Sequence, residues 1–433
     1  MTRTLFALLS LLSVALAQAQ PEGWIVKFKT DRVDPTARRN WINNQLKNAE
    51  LPSLSEQEAS TLKTGWNVTV FDGFSGGFSD AAARVFREHE DVAYVERDVP
   101  ASITAMTTQN NAPWGLQRIS QRAAIQNGDP TKTNFIYNYD DSAGSGVDIY
   151  ILDTGVRTSH VEFGGRATFA RTFSDGVPDQ DIQGHGTHVA GIAASSLHGV
   201  AKAANIIAVK VMDDQGAGSA SNIISGINFV ANAAAQSARR SVINLSITAP
   251  ASRAIDAACA NAVSNGVYIV AAAGNEGVDT SNTSPARSDA VIAVGATDIR
   301  DRRASFSNFG PAVDVFAPGV GIISLSNLND NAVKTLDGTS MASPMVAGLV
   351  AYLLTLEGTI TPAAMKQRLR TLSTTNLVTG LPSNTTNALV FNDAAGAQTT
   401  NQTPAIVQQQ SILGSIDSMI SAFSKLASSA QNS

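Results

Sequence analysis

Four short segments set reactive side chains where the backbone turns. Ile151-Leu152-Asp153-Thr154-Gly155-Val156 puts a carboxylate at the end of an apolar run, just before a glycine. Gly184-His185-Gly186-Thr187-His188-Val189-Ala190-Gly191 puts an imidazole between two glycines, which let the backbone approach closely. Asp337-Gly338-Thr339-Ser340-Met341-Ala342-Ser343-Pro344 puts a hydroxyl between a glycine turn and an apolar helical run, where unpaired N–H groups and the positive dipole end suit a developing anion. Ala271-Ala272-Ala273-Gly274-Asn275-Glu276-Gly277 adds an amide donor. A hydroxyl is a weak nucleophile until an imidazole takes its proton, and the imidazole needs a carboxylate to fix its tautomer. The set therefore implies acyl transfer, with Ser340 as nucleophile, His185 as base, Asp153 as its orienting partner, and Asn275 with the Ser340 N–H as oxyanion donors. Each segment also has an ordinary reading: Asp153 as a turn cap, Ser340 as a helix N-cap, Asn275 as a turn residue. His185 and His188 might suggest a metal pair, but His89, His160 and His198 stand at no ligand spacing, so His188 is expected to be structural.

Positioning such groups requires strands that end together. Val147–Leu152, Ile206–Met212, Ser241–Ser246 and Val267–Ala273 are apolar or β-branched runs that predict strands. Helices are predicted over His185–Ser195, Ser219–Ala235, Ala251–Ser264, Ser340–Leu356 and Pro362–Leu372. Alternating strands and helices imply an α/β unit with a mainly parallel sheet and helices on both faces. Its site should lie beyond the carboxyl ends of the strands. Ahead of it, Gly23–Phe28, Trp66–Phe71 and Val92–Val95 predict strands and Ser79–Glu88 a helix. These make a small α+β unit, followed by a polar linker over Pro100–Asn111.

A length of 433 residues suggests two or three units. Residues 1–19 read as a secretory signal: Arg3, an apolar stretch from Leu5 to Leu16, and small-x-small sites at Ala15–Ala17 and Ala17–Ala19. The apolar stretch is short for a membrane span, and no membrane association is expected of the mature chain. A net charge of -5 gives no basic footprint for nucleic acid. The single cysteine, Cys259, excludes an intramolecular disulfide and is expected to be a buried, inert thiol. Residues 394–433 read either as one amphipathic helix or as a disordered tail.

The order Asp, His, Ser and the segments carrying it resemble the subtilisin family, and more closely its proteinase K branch. The resemblance runs through 107–393 and includes Pro113-Trp114-Gly115-Leu116, Lys210-Val211-Met212-Asp213-Asp214 and Ser305-Phe306-Ser307-Asn308-Phe309-Gly310. It implies a secreted, extracellular, monomeric serine endopeptidase acting on proteins or peptides. Residues 20–106 resemble the family's inhibitory propeptide, through Phe71–Phe78 and Val92–Glu96, with the junction near Met106–Thr107. By the same resemblance, substrate adds as a strand between Gly216-Ala217-Gly218 and Ser246-Ile247-Thr248-Ala249. The family's usual Gly-Gly is replaced by Thr248-Ala249, which should narrow the cleft, and Ala220 replaces an aromatic residue, which should open the fourth subsite. Ala272, Ala273 and Gly274 should line the first pocket, with Glu276 at its rim to meet a long basic side chain. Asp314, with the carbonyls of Asp289 and Val291, matches a structural calcium site of relatives; the alternative is a purely structural Asp. Asn67, Asn282, Asn384 and Asn401 are glycosylation sequons, and Asn244 is one inside a predicted strand. Three other readings compete with this one: an inactive binding protein, which would lack a catalytic residue; a vacuolar protease of the same family; and an esterase, whose Gly-x-Ser-x-Gly fails at Ala342.

Overall fold

Every residue of the strand Val147–Asp153 is buried. Its side chains alternate between two cores, Val147, Ile149 and Ile151 entering one and Tyr150 and Leu152 the other. Burial on both faces is why this strand reads as an unbroken apolar run, and each such aliphatic side chain contributes about 1.5–3 kcal/mol when fully buried. The structure is a computed structural model, which describes residues 23–29, 38–55, 62–68, 71–98, 106–174 and 177–394. The expected signal and nearly all of the C-terminal tail lie outside the described residues. The chain divides into two compact units, up to Ile103 and from Thr104.

The second unit is built on a nine-stranded sheet. From one edge its strands are Thr374–Thr375, Ala388–Leu389, Val315–Pro318, Ile292–Thr297, Tyr268–Ala272, Arg240–Leu245, Val147–Asp153, Asn205–Lys210 and Ala167–Thr172. All neighbours pair parallel except Thr374–Thr375, which is antiparallel to Ala388–Leu389. The chain leaves Val147–Asp153 toward one edge, returns as Asn205–Lys210, and then crosses to the other side as Arg240–Leu245. Asp153 thus ends a strand where the strand order reverses, the place where open α/β sheets bind ligands.

One core packs the sheet against the helices His185–Ala194 and Thr339–Glu357; the other packs it against Ala220–Gln236 and Arg253–Ser264. Thr339–Glu357 is long and apolar enough to cross a membrane, but it runs buried through the core. Cys259 lies in the second core, where burial pushes its thiol up to about 12, so it is inert as expected.

The first unit is a four-stranded antiparallel sheet in the order Lys63–Val68, Phe71–Gly76, Gly23–Phe28, Val92–Asp98, with helices Arg38–Asn48 and Asp80–Glu88. Its core gathers Trp24, Val26, Phe28, Ile42, Phe74 and Phe86. Two expectations need correction. Trp66–Phe71 is not one strand but parts of two, paired through Val68 and Phe71. Met106–Ala112, expected as linker, is a strand antiparallel to Phe135–Asp140. Its polar residues are exposed or half-buried, and cross-strand backbone bonds rather than apolar burial define it.

Candidate active site

The Asp153 carboxylate is fully buried at the end of its strand. Its Oδ1 accepts from Thr154 N at 2.7 Å and lies 2.8 Å from His185 Nδ1, with Oδ2 at 2.9 Å from the same nitrogen. His185 opens a helix whose N-cap, Gly184, has φ +89°. Gly186 must also be glycine, because a Cβ there would lie 2.0 Å from Gly155 O. Asp181 holds the start of this helix: its Oδ1 accepts from Gly184 N (2.7 Å) and Thr154 Oγ1 (2.8 Å), and its Oδ2 from Thr187 N (2.8 Å) and Thr187 Oγ1 (2.5 Å). The buried Lys210 Nζ donates to Thr154 O at 2.8 Å and Gln180 O at 3.0 Å, fixing the turn after Asp153. Burial works against the charged imidazole of His185. The Asp153 carboxylate outweighs it by charge and hydrogen bond, Asp181 adds to the effect, and Lys334 opposes it. The balance holds His185 above its ordinary value.

Ser340 is the second residue of its helix, so its N–H has no intrahelical acceptor. Pro344, four residues on, has no N–H to offer the Ser340 carbonyl. Ser246 Oγ donates to that carbonyl instead, at 2.8 Å, while Ser340 Oγ donates to Ser246 O at 3.1 Å. Asn244 Nδ2 donates to Ser246 Oγ (2.9 Å) and Ser343 Oγ to Asn244 Oδ1 (2.8 Å), tying the strand end to the helix. Asn244 is thereby buried, which removes its sequon from the surface. Among the described residues no hydrogen bond joins Ser340 Oγ to the His185 ring.

Asn275 Oδ1 accepts from both Thr339 N and Thr339 Oγ1 at 2.9 Å, which turns its amide nitrogen outward. A Cβ on Gly338 would lie 3.4 Å from Ser340 N and 3.7 Å from Asn275 Nδ2, so these two donors flank the space above that glycine.

A cleft of about 290 Å³ is bounded by Asp153, His185, Gly216, Ser246, Ile247 and Thr248, together with Thr154, Gln183, Met212 and Gln215. Ala217 and Gly218 continue from Gly216 as exposed chain without regular structure, and Ala220 is exposed at its helix start. Thr248 is exposed on the cleft wall, but Ala249 pairs with Ser284 in a two-residue ladder. Ala272, Ala273 and Gly274 are buried at and just after the end of the strand Tyr268–Ala272 and do not line this cleft. Glu276 is exposed, yet its Oε2 accepts from Asn308 Nδ2 at 2.8 Å, which folds the carboxylate back over Gly274.

His188 is structural, as expected. Its Nε2 faces the carbonyls of Ile322 and Lys334, both at 3.1 Å, and burial pushes it down to about 3, so it stays neutral. Its Nδ1 has no partner among the described residues. The three residues expected to hold calcium meet a side chain. Asp314, Asp289 and Val291 do converge, but on Lys366: its Nζ lies 3.0 Å from Asp314 Oδ2, 3.0 Å from Asp289 O and 2.8 Å from Val291 O. Arg370 also binds Asp314 Oδ1. A cation already fills the position, so these residues do not fit the ion.

Asp181, Lys334 and the hydrogen bonds that link Asn244, Ser246 and Ser343 were not foreseen from sequence, although Ser246 was expected beside the substrate; Asn308 stood in a segment carrying the resemblance but had no role assigned. Asp181 carried a local signal, an acidic residue just ahead of a predicted helix start.

Comparison with known proteins accords with this arrangement. Residues 144–409 match the model of the subtilase family, and residues 24–104 match that of the peptidase inhibitor I9 family. A subtilisin-like protease 3 of Pseudogymnoascus destructans is 48% identical over 391 residues, covering 89% of this chain and 94% of that protein. A cuticle-degrading protease of Metarhizium anisopliae is 42% identical over 327 residues, covering 75% of this chain and 81% of that one. The crystal structure of a cold-adapted subtilisin-like serine proteinase superposes with a TM-score of 0.61 at 41% identity, covering 66% of this chain and all of that one. The chain belongs to the subtilase family and is a serine endopeptidase preceded by a propeptide of the inhibitor I9 type.

Proposed function

We propose that the chain is a secreted endopeptidase whose Ser340, His185 and Asp153 hydrolyse peptide bonds and whose first cut releases its own propeptide near Met106–Thr107. The observation that carries the reading is the fully buried Asp153 carboxylate held on His185 Nδ1 at the rim of a cleft that Ser246 shares, with Ser340 Oγ hydrogen-bonded to Ser246 O. Substrate binding turns the hydroxyl from that carbonyl toward His185 Nε2; such hydrogen bonds are commonly unmade in free enzymes. Oγ then attacks the scissile carbonyl carbon as Nε2 takes its proton. The carbonyl oxygen, now anionic, is held by Asn275 Nδ2 and Ser340 N–H. Collapse of the adduct breaks the C–N bond, and the imidazolium returns the proton to the leaving amine. Water, deprotonated by the same imidazole, releases the acyl group.

Two results are expected. Asn275→Ala should lower kcat about 10²–10³-fold with little change in KM, because the oxyanion exists only near the transition state. Steady-state kinetics on a peptide substrate test this, and an unchanged kcat would remove Asn275 from the oxyanion site. Only neutral imidazole can act as base. Because Asp153 holds His185 above its ordinary value of about 6.5, kcat/KM should rise with pH along a limb centred above that value. A limb centred below pH 5 would exclude His185 as the base.

Export is supported by the reading of residues 1–19 and by a relative named for degrading cuticle. Within this reading the propeptide inhibits the mature enzyme until it is removed. Expression of the full chain, followed by assay and N-terminal sequencing of the protein in medium and cell fractions, tests export and the junction. Active enzyme confined to an internal compartment would favour the vacuolar alternative.

A further inference from the structure

Where relatives are expected to hold calcium, this chain supplies its own cation. Lys366 and Arg370 lie four residues apart, on one face of the helix Pro362–Leu372. An ammonium has three donors and no acceptor. Those of Lys366 are matched one for one by Asp314 Oδ2, Asp289 O and Val291 O at 2.8–3.0 Å. Calcium would draw oxygens to 2.3–2.6 Å and asks for six to eight of them; here three oxygens converge and all three are taken. The Asp314 carboxylate is 1% exposed, accepts from Ala293 N at 2.8 Å, and already meets two cations. A divalent ion added there would find one negative charge shared with two positive ones, in surroundings that screen poorly.

We propose that the Lys366 ammonium replaces the calcium ion at this position. It joins the helix Pro362–Leu372 to the strands Ile292–Thr297 and Val315–Pro318, and it makes the stability of this region independent of calcium. The helix carries Met365 and Leu369 into the main core, so the clamp fixes a packed element rather than a loop. A buried pair missing one partner is strongly destabilised, so removal of Lys366 exposes an oxygen cradle that calcium can then enter.

The test follows thermal unfolding of the purified enzyme, blocked with a serine-directed inhibitor, in chelator and in calcium. The parent midpoint is expected to be the same in both. Lys366→Ala should melt about 3 °C or more below the parent in chelator, and calcium should recover part of the difference, increasingly with concentration. Should the alanine variant fail to fold, Lys366→Gln, which keeps two donors on one nitrogen but no charge, is expected to show the same calcium response. Crystals of the parent grown in calcium give the direct answer. Lys366 Nζ between Asp314 and the two carbonyls supports the proposal; an ion there, with Lys366 displaced, overturns it. A folded Lys366→Ala protein that ignores calcium also overturns it.

Discussion

Ser340→Ala is expected to lower kcat by about 10⁶-fold and to leave the propeptide attached. Both losses come from one atom. Without Oγ there is no nucleophile, and within the proposed mechanism the same nucleophile makes the first cut near Met106–Thr107. The substitution should not disturb the fold. Ser340 Oγ makes one described hydrogen bond, to Ser246 O at 3.1 Å in a half-buried place, and one such bond contributes only about 1 kcal/mol. The helix start remains tied by Ser246 Oγ to the Ser340 carbonyl, which alanine retains. Electrophoresis of the expressed protein should therefore show a folded, uncut precursor with an unchanged melting midpoint. Adding a trace of active parent separates cutting from folding: the variant precursor should then be trimmed but stay inactive. A variant that matures alone would assign the cut to another protease. A variant that still hydrolyses peptides would remove Ser340 from the mechanism.

What could be read from sequence follows from how local the physics is. Val147–Asp153 was legible because burial on both faces makes it apolar throughout, and Pro362–Leu372 because Pro362 and Thr361 mark its start. The three groups of the proposed triad were legible because each lies within two residues of a glycine: Gly155 after Asp153, Gly184 and Gly186 around His185, and Gly338 before Ser340. Met106–Ala112 was not legible: Met-Thr-Thr-Gln-Asn-Asn-Ala has no apolar alternation, and its strand state comes from pairing with Phe135–Asp140. The hairpin Ile322–Leu325 with Val333–Leu336 escaped for a related reason, since its second strand is exposed or half-buried throughout. Site residues were lost where their role depends on distant partners. Asn308 holds Glu276 only because the fold brings the two together. Lys366 could not be foreseen for the same reason: the three expected calcium ligands are all present and do converge, but on the ammonium of a lysine from a helix far along the chain.

Asp153→Asn should lower kcat by about 10⁴-fold while leaving the fold intact. The replacement is nearly isosteric, so the argument turns on which way the new amide faces. Thr154 N–H donates to Oδ1 at 2.7 Å and cannot be satisfied by an NH₂ group, so the amide oxygen must stay on that side. The nitrogen then takes the Oδ2 position, 2.9 Å from His185 Nδ1, and competes for it with the amide oxygen, which lies 2.8 Å from the same atom. In the tautomer in which the amide donates, Nδ1 is the acceptor, the ring proton sits on Nε2, and Nε2 can no longer take a proton from Ser340. Losing the carboxylate also removes the charge that holds His185 above its ordinary value. With burial and Lys334 now less opposed, the imidazole pKa falls and the acid limb of kcat/KM shifts to lower pH. A residue that merely supported the fold would reduce activity in step with the melting midpoint and leave the limb in place. Kinetics across pH, with calorimetry on the same sample, separate the two. If kcat falls less than tenfold, or the limb stays where the parent has it, Asp153 is not the group that orients and charges His185.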